Sequence, residues 1–311
     1  VSSKVKNIQR FALTSTIATY FLIFVGGLVR VSGAGLGCPD WPKCFGRWIP
    51  PLSKHQIPVG FDPTNFNLTL AWIEYINRLA GMITGLLILI TAILAIKNFR
   101  REKQILIPAS LAAVLVALQG WYGSVVVKSQ LMPTTVSIHL LLALVIVSLL
   151  VYLTYSSYHL SSATSSIAVR PERKLLLILW LVSIVQILFG TGIRSSVEMI
   201  WSQFPLMAVG DVLDQVGIIN YLHTFLGVLL AIGTAIIGQR IIKIDKISLL
   251  TKQSIWILNI LIFAQIFIGV NLHLFGLPPI LQVFHLWVAS LYIGIVLILY
   301  TDLKYEQVKN E

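Results

Sequence analysis

Three of the six histidines stand where a titratable side chain is costly. His139, His223 and His285 each lie about one turn inside a long apolar segment. An ionisable group at membrane depth needs a partner or a task. One alone would read as a neutral imidazole bonded to a neighbouring helix; three at one depth read as ligands. His223 and His285 are 62 residues apart, at the starts of two apolar segments, and Asn77 and His139 keep the same spacing in two earlier ones. Helices of a four-helix bundle that present facing imidazoles can grip a planar cofactor between them, a common way to hold haem iron. Zinc would require four nitrogen or sulfur ligands close together, and the apolar segments offer no thiolate.

Other residues gather around these. Glu74 precedes Asn77 by three positions and so shares its helix face. Its counterpart in the later pair of segments is Asn220, so the fold itself does not demand an acid there. Glu74 either faces the same pocket as Asn77, as expected where something reacts, or pairs with Arg78 at the i,i+4 spacing. Arg30 and Arg194 end the first and fifth apolar segments, where each either meets a haem propionate or snorkels to the interface. Cys38 and Cys44 stand in the run GCPDWPKC. An oxidising compartment would join them as a disulfide, whether as a staple or as a redox relay.

The elements that must position these residues are helices in a bilayer. Of 311 residues, 57% are apolar, 11% charged and 2 are Cys; soluble domains hold roughly 45–50% apolar and about 25% charged residues. That excludes a soluble globular enzyme, a disordered chain and a disulfide-rich secreted domain. Continuous rather than alternating apolar runs argue against a β-barrel. Eight stretches are long enough to span: about 11–30, 71–96, 105–127, 135–155, 175–194, 218–239, 254–272 and 281–301. The first, with Lys4, Lys6 and Arg10 before it and no small-residue cleavage site after it, reads as a retained anchor.

The loops alternate in charge. Most of the 23 Lys and Arg fall in the N-terminal tail, 97–103, 170–174, 240–252 and the C-terminal tail. The other set holds only Arg30, Lys43, Arg47, Lys54, Lys128 and Arg194. The positive-inside rule puts both termini in the cytoplasm and the large loops, 31–70 and 195–217, outside. The net charge of +11 is thus a topology signal and not a nucleic-acid footprint. The first loop, rich in Gly and Pro, reads as ordered but irregular.

The two halves also repeat. At a shift of 146 residues Tyr75 falls on Tyr221, Gly81 on Gly227, Gln119 on Gln265, Gly123 on Gly269, Pro133 on Pro279 and His139 on His285, while Asn77 falls on His223. Each half holds four spans, an even number, so the halves share one orientation and are expected to be related by an axis along the membrane normal. The expected fold is an all-α polytopic membrane protein, with residues 1–155 forming one four-helix half and 156–311 the other.

The pattern GGLVRVSGAGLGCPDWPKC, EYINRLAG, SIHLL, NYLHTFLG and VFHLW over eight spans resembles the heme A synthase family from about Phe11 to Tyr300. The resemblance implies two four-helix bundles, with a heme b in the C-terminal half ligated by His223 and His285 and Arg194 nearby. It implies that the N-terminal half takes heme O as substrate, with His139 on its iron and Asn77 and Arg30 beside it. Members oxidise a ring methyl of heme O to a formyl group, giving heme A for cytochrome oxidase, with water as the oxygen source. Electrons leave through the bound haem to an acceptor, a quinone or a thiol-redox partner. Glu74 would sit near the methyl, stabilising positive charge or accepting a proton. Members commonly carry His where this chain has Asn77, so the substrate iron is expected on His139 alone or with water.

The expected setting is a bacterial plasma membrane. Heme O would come from the farnesyltransferase that makes it, and a homo-oligomer is possible. Two other classes compete: a membrane b-type cytochrome that carries electrons to or from quinone, and a transporter. Glu74, without a repeat partner, favours the enzyme over a pure relay. The absence of a broken helix at mid-bilayer disfavours transport.

Overall fold

Apolar length alone forces helices here, because a backbone in hydrocarbon must satisfy its own hydrogen bonds. The computed structural model describes residues 2–160, 171–244 and 247–306. Arg170, Lys246 and Lys309, counted above among the basic loop residues, lie outside the described residues. The helices are α1 (Ser3–Val31), α2 (Leu68–Asn98), α3 (Lys103–Lys128), α4 (Pro133–Tyr158), α5 (Pro171–Gln203), α6 (Val209–Val216), α7 (Ile218–Ile242), α8 (Leu249–Leu274) and α9 (Pro279–Glu306). All but α6 are long and apolar enough to cross a membrane. The protein is an all-α polytopic membrane protein. Among the described residues there is no strand, only an isolated bridge between Cys44 and Arg47.

The helices start where side chains satisfy their first amides. Asn67 Oδ1 accepts from the Leu70 amide at 3.1 Å, and Ser248 Oγ accepts from the Thr251 amide at 2.9 Å. Pro133 and Pro279 each open a helix, where a missing N–H costs nothing. The turn before each proline is built alike. Gln130 and Leu131 take φ of 54° and 59°, and Gly276 and Leu277 take 77° and 56°. The Leu131 amide donates to Val126 O and the Leu277 amide to Leu272 O, at 3.0 and 2.8 Å. Both turns therefore need a left-handed residue before the leucine, and only the second has glycine there. Gly276→Gln should lower stability by roughly 1 kcal/mol, read as a fall in the thermal midpoint of detergent-solubilised protein.

Packing arranges the helices in two closed rings. The first runs α1–α2–α3–α4 and back to α1, and the second runs α5–α7–α8–α9 and back to α5. α2 thus faces α4 diagonally, and α7 faces α9. The rings join through α1, α4, α5 and α9. Lipid gives helices no hydrophobic reason to associate, so close packing and polar threads must hold them. Ser15 meets Thr91 at 3.0 Å, Thr16 meets Thr154 at 2.9 Å, and Ser137 meets Thr191 at 3.0 Å. Far from the large loops, buried Asp302 accepts from Tyr155, Ser248 and Thr251, tying α4, α8 and α9 together.

The segment 195–217 corrects the expected loop. α5 continues to Gln203 and α6 follows. The apolar run ends at Arg194, Ser195 and Ser196, but Val197, Ile200 and Trp201 still recur on one face and pack against Val212 and Leu213 of α6. Helical periodicity outlasts the apolar stretch.

Candidate functional site

The diagonal helices of the second ring bring two imidazoles face to face. His223 on α7 and His285 on α9 have ring centroids 6.3 Å apart, with planes inclined by 58°. Two metal–imidazole bonds of about 2 Å each, plus the two ring radii, come to about 6 Å. The gap is therefore the size for one metal atom held from both sides. His223 Nδ1 lies 3.2 Å from Gln186 O. A bond there fixes Nδ1 as the protonated nitrogen and leaves Nε2 its lone pair. Among the described residues no three His, Cys, Asp or Glu side chains gather as a metal cluster. A metal between the two rings would need its remaining ligands from elsewhere, and a porphyrin would supply four nitrogens.

Glycine seats each ring. A Cβ added at Gly190 would lie 3.3 Å from His223 Cε1, and one at Gly269 would lie 3.5 Å from His285 Cε1. In the first ring, Gly123 stands 3.7 Å from His139 Cε1 in the same sense. His139 on α4 stacks with Tyr122 at 6.4 Å and 18°. Its Nδ1 is buried with no partner among the described residues, as is that of His285. Asn77 is half-buried on α2, opposite α4 across the ring.

Glu74, one turn before Asn77, is 3% exposed. Its Oε2 accepts from the Cys38 amide at 2.7 Å, and its Oε1 pairs with Arg78. The i,i+4 pair left open by the sequence is thus present. Arg78 reaches further: Nη1 donates to Asp40 O at 2.8 Å and to Lys43 O at 2.7 Å. Cys38 and Cys44 are joined by a disulfide. Their loop has its own small core of Phe45, Phe66 and Ala71. Gly37 lies directly on the Leu70 carbonyl, where any side chain would collide, and this close approach delivers the Cys38 amide to Glu74. The cysteine loop and the acid are therefore one unit.

Arg30 and Arg194 meet at a residue the sequence reading missed. Glu198 accepts from Arg30 at 2.5 Å and from Arg194 at 2.9 Å. Arg30 also reaches Ser195 Oγ at 3.3 Å. The pair joins α1 to α5, and so one ring to the other. Arg194 Nε remains buried with no partner among the described residues. Glu198 had a sequence signal in its i+4 spacing from Arg194, but it lies past the end of the apolar run.

A family model described as COX15-CtaA, cytochrome oxidase assembly protein, matches residues 9–297. The heme A synthase of Rickettsia prowazekii is 25% identical over 329 residues, covering 93% of this chain and 96% of that protein. That of a Wolbachia of Brugia malayi is 24% identical over 316 residues, covering 90% and 92%. That of Shewanella oneidensis is 29% identical over 214 residues, covering 68% of this chain and 64% of its own length.

Proposed function

Since this chain belongs to the COX15-CtaA family of cytochrome oxidase assembly proteins, the family of the heme A synthases, we propose that it works as a heme A synthase. It takes heme O and oxidises one ring methyl to a formyl group, with water as the oxygen source. The observation that carries this reading is the asymmetry of the two rings. One holds facing imidazoles 6.3 Å apart; the other has His139 alone and, one turn before Asn77, the buried carboxylate of Glu74, where the second ring has Asn220.

The residues present fit a resident heme b between His223 and His285. The spacing suits one iron, and Nε2 of His223 has its lone pair free. Arg194 offers a buried, unpaired N–H that suits a propionate. Such a haem, when bound, accepts electrons one at a time and passes them on. In the first ring His139 would hold the iron of the substrate, stacked on Tyr122, with Asn77 too poor a ligand to complete the iron and Arg30 at the rim. Glu74 would stand at the methyl. Its carboxylate, aimed by the Cys38 amide and Arg78, stabilises positive charge that develops there and accepts the proton released by the attacking water. Methyl to formyl is two successive two-electron oxidations, so each proton must find an acceptor near the reacting carbon.

The reading carries further assignments. Residues 1–155 form the substrate half and 156–311 the cofactor half, the two related by an axis along the membrane normal. The protein sits in a bacterial plasma membrane with both termini cytoplasmic and the cysteine loop outside, as a monomer or homo-oligomer. Its substrate is the product of a haem farnesyltransferase, its electrons go to a quinone or a thiol-redox partner, and its product goes to cytochrome oxidase.

Co-expression with a heme O source tests the activity. Extracted pigments should contain formyl-haem with the unmodified protein and essentially none with Glu74→Ala. Equal formyl-haem from both, or none from either, would reject the enzyme and leave a b-type cytochrome that carries electrons only.

A further inference from the structure

One polar device recurs beside each of His139, His223 and His285. Gln119 on α3 donates from Nε2 to the backbone carbonyl of His139 at 3.0 Å. Gln265 on α8 donates to the carbonyl of His285 at 2.7 Å. Gln186 on α5 donates to the carbonyl of His223 at 2.7 Å. Four residues after each glutamine, on the same helix face, stands the glycine that seats the ring: Gly123, Gly269 and Gly190. The glutamine ties down the backbone of the ligand residue, and the glycine admits its imidazole.

The fourth position shows what happens without a histidine. Matching Arg30 to Arg194 and Gly26 to Gly190 puts Leu22 where Gln186 stands. The packing agrees. A Cβ at Gly227 would lie 3.4 Å from Gln186 Nε2, and one at its repeat mate Gly81 would lie 3.9 Å from Leu22 Cδ2. Gly190 is covered by His223, whereas nothing stands within 4 Å of a Cβ at Gly26. Where Asn77 replaces histidine, the glutamine is gone too. A general need to pack helices would not distinguish the fourth position from the other three.

The physical reason is rotational. A helix carbonyl already accepts from the amide one turn on, and its second lone pair is open to a neighbour. In a dry, apolar interior a donor placed there holds strongly, and losing it leaves a costly gap. The bond crosses from one helix to the next at the ligand residue itself. It therefore fixes how far the ligand helix is turned, and with it the direction of the imidazole. A metal ligand must be held within roughly 0.5 Å of its working place.

Resting on the haem reading above, we propose that Gln119, Gln186 and Gln265 are positioning residues that set the rotation of the histidine-bearing helices, so that each imidazole is presented to an iron porphyrin. The test uses the full-length holoprotein and the methionine variants Gln186→Met and Gln265→Met, which keep length and lose the donor. Their ferric haem b should shift from low spin to a mixture with high spin, by absorption and electron paramagnetic resonance. Haem transfer to apomyoglobin should quicken about 10-fold or more. Leu22→Met and Gln119→Met should leave the haem b spectrum unchanged. If Gln186→Met and Gln265→Met keep haem b fully low-spin and equally retained, the proposal is overturned, even when less protein accumulates; reduced yield alone marks a structural role. If the unmodified protein itself shows no low-spin haem, the functional reading has failed, and this proposal falls with it.

Discussion

Replacing either His223 or His285 with alanine should abolish the low-spin haem b spectrum of the purified protein, whereas His139→Ala should leave it intact. The two rings face one another at 6.3 Å, across a gap of the size for one iron that both imidazoles would hold. Removing either imidazole would leave the haem held from one side only, so the expected loss is qualitative rather than graded. His139 belongs to the other ring of helices, beside Tyr122, and has no part in that gap. The measurement is the reduced-minus-oxidised spectrum together with haem content by pyridine hemochrome. Full low-spin absorption in both His223→Ala and His285→Ala would refute the ligand pair. Loss of the same signal in His139→Ala would move the resident haem to the first ring.

Arg78→Leu should cost about 3–5 kcal/mol, because it breaks a buried ion pair from one side. Glu74 would keep the Cys38 amide but lose its cation, and the carbonyls of Asp40 and Lys43 would lose their donor. The loop closed by Cys38 and Cys44 is held to α2 by several ties, of which this guanidinium is one. Its disulfide should therefore become more accessible to a small reductant, read by thiol labelling, and the thermal midpoint should fall. Formyl-haem should drop to the level of Glu74→Ala. The haem b spectrum should persist, since Arg78 lies in the first ring. Arg78→Lys should recover part of the stability but little of the product, because an ammonium cannot span Glu74 and the carbonyls of Cys38, Asp40 and Lys43 at once. Unchanged product with Arg78→Leu would show that Glu74 needs no such hold.

Much of this protein was legible in the chain because the governing properties are local. An apolar run of the right length must become a helix in lipid whatever surrounds it, so the eight spans stand where the sequence put them, lengthened at their ends. The isolated histidines and the lone acid were visible for the same reason: a polar group in an apolar run is conspicuous without a structure. The duplication was legible down to Gln119 and Gln265, though not what those glutamines touch. Past the apolar runs the signal weakened. The continuation of α5 to Gln203 was lost because Arg194, Ser195, Ser196 and Glu198 look like the start of a loop, when polar residues that find partners, as Glu198 does in Arg30 and Arg194, do not stop a helix.

Tertiary structure alone decided which residues meet. That His223 and His285 face each other at 6.3 Å follows from two helices placed diagonally in a closed ring, which no spacing along the chain reveals. Glu198 gathers Arg30 across from another helix, and the Cys38 amide reaches Glu74 only because Gly37 lets the loop lie on α2. Hydrophobicity and helical period are written residue by residue. Contacts between residues scores of positions apart are set by how whole helices pack, and the site is made of those contacts.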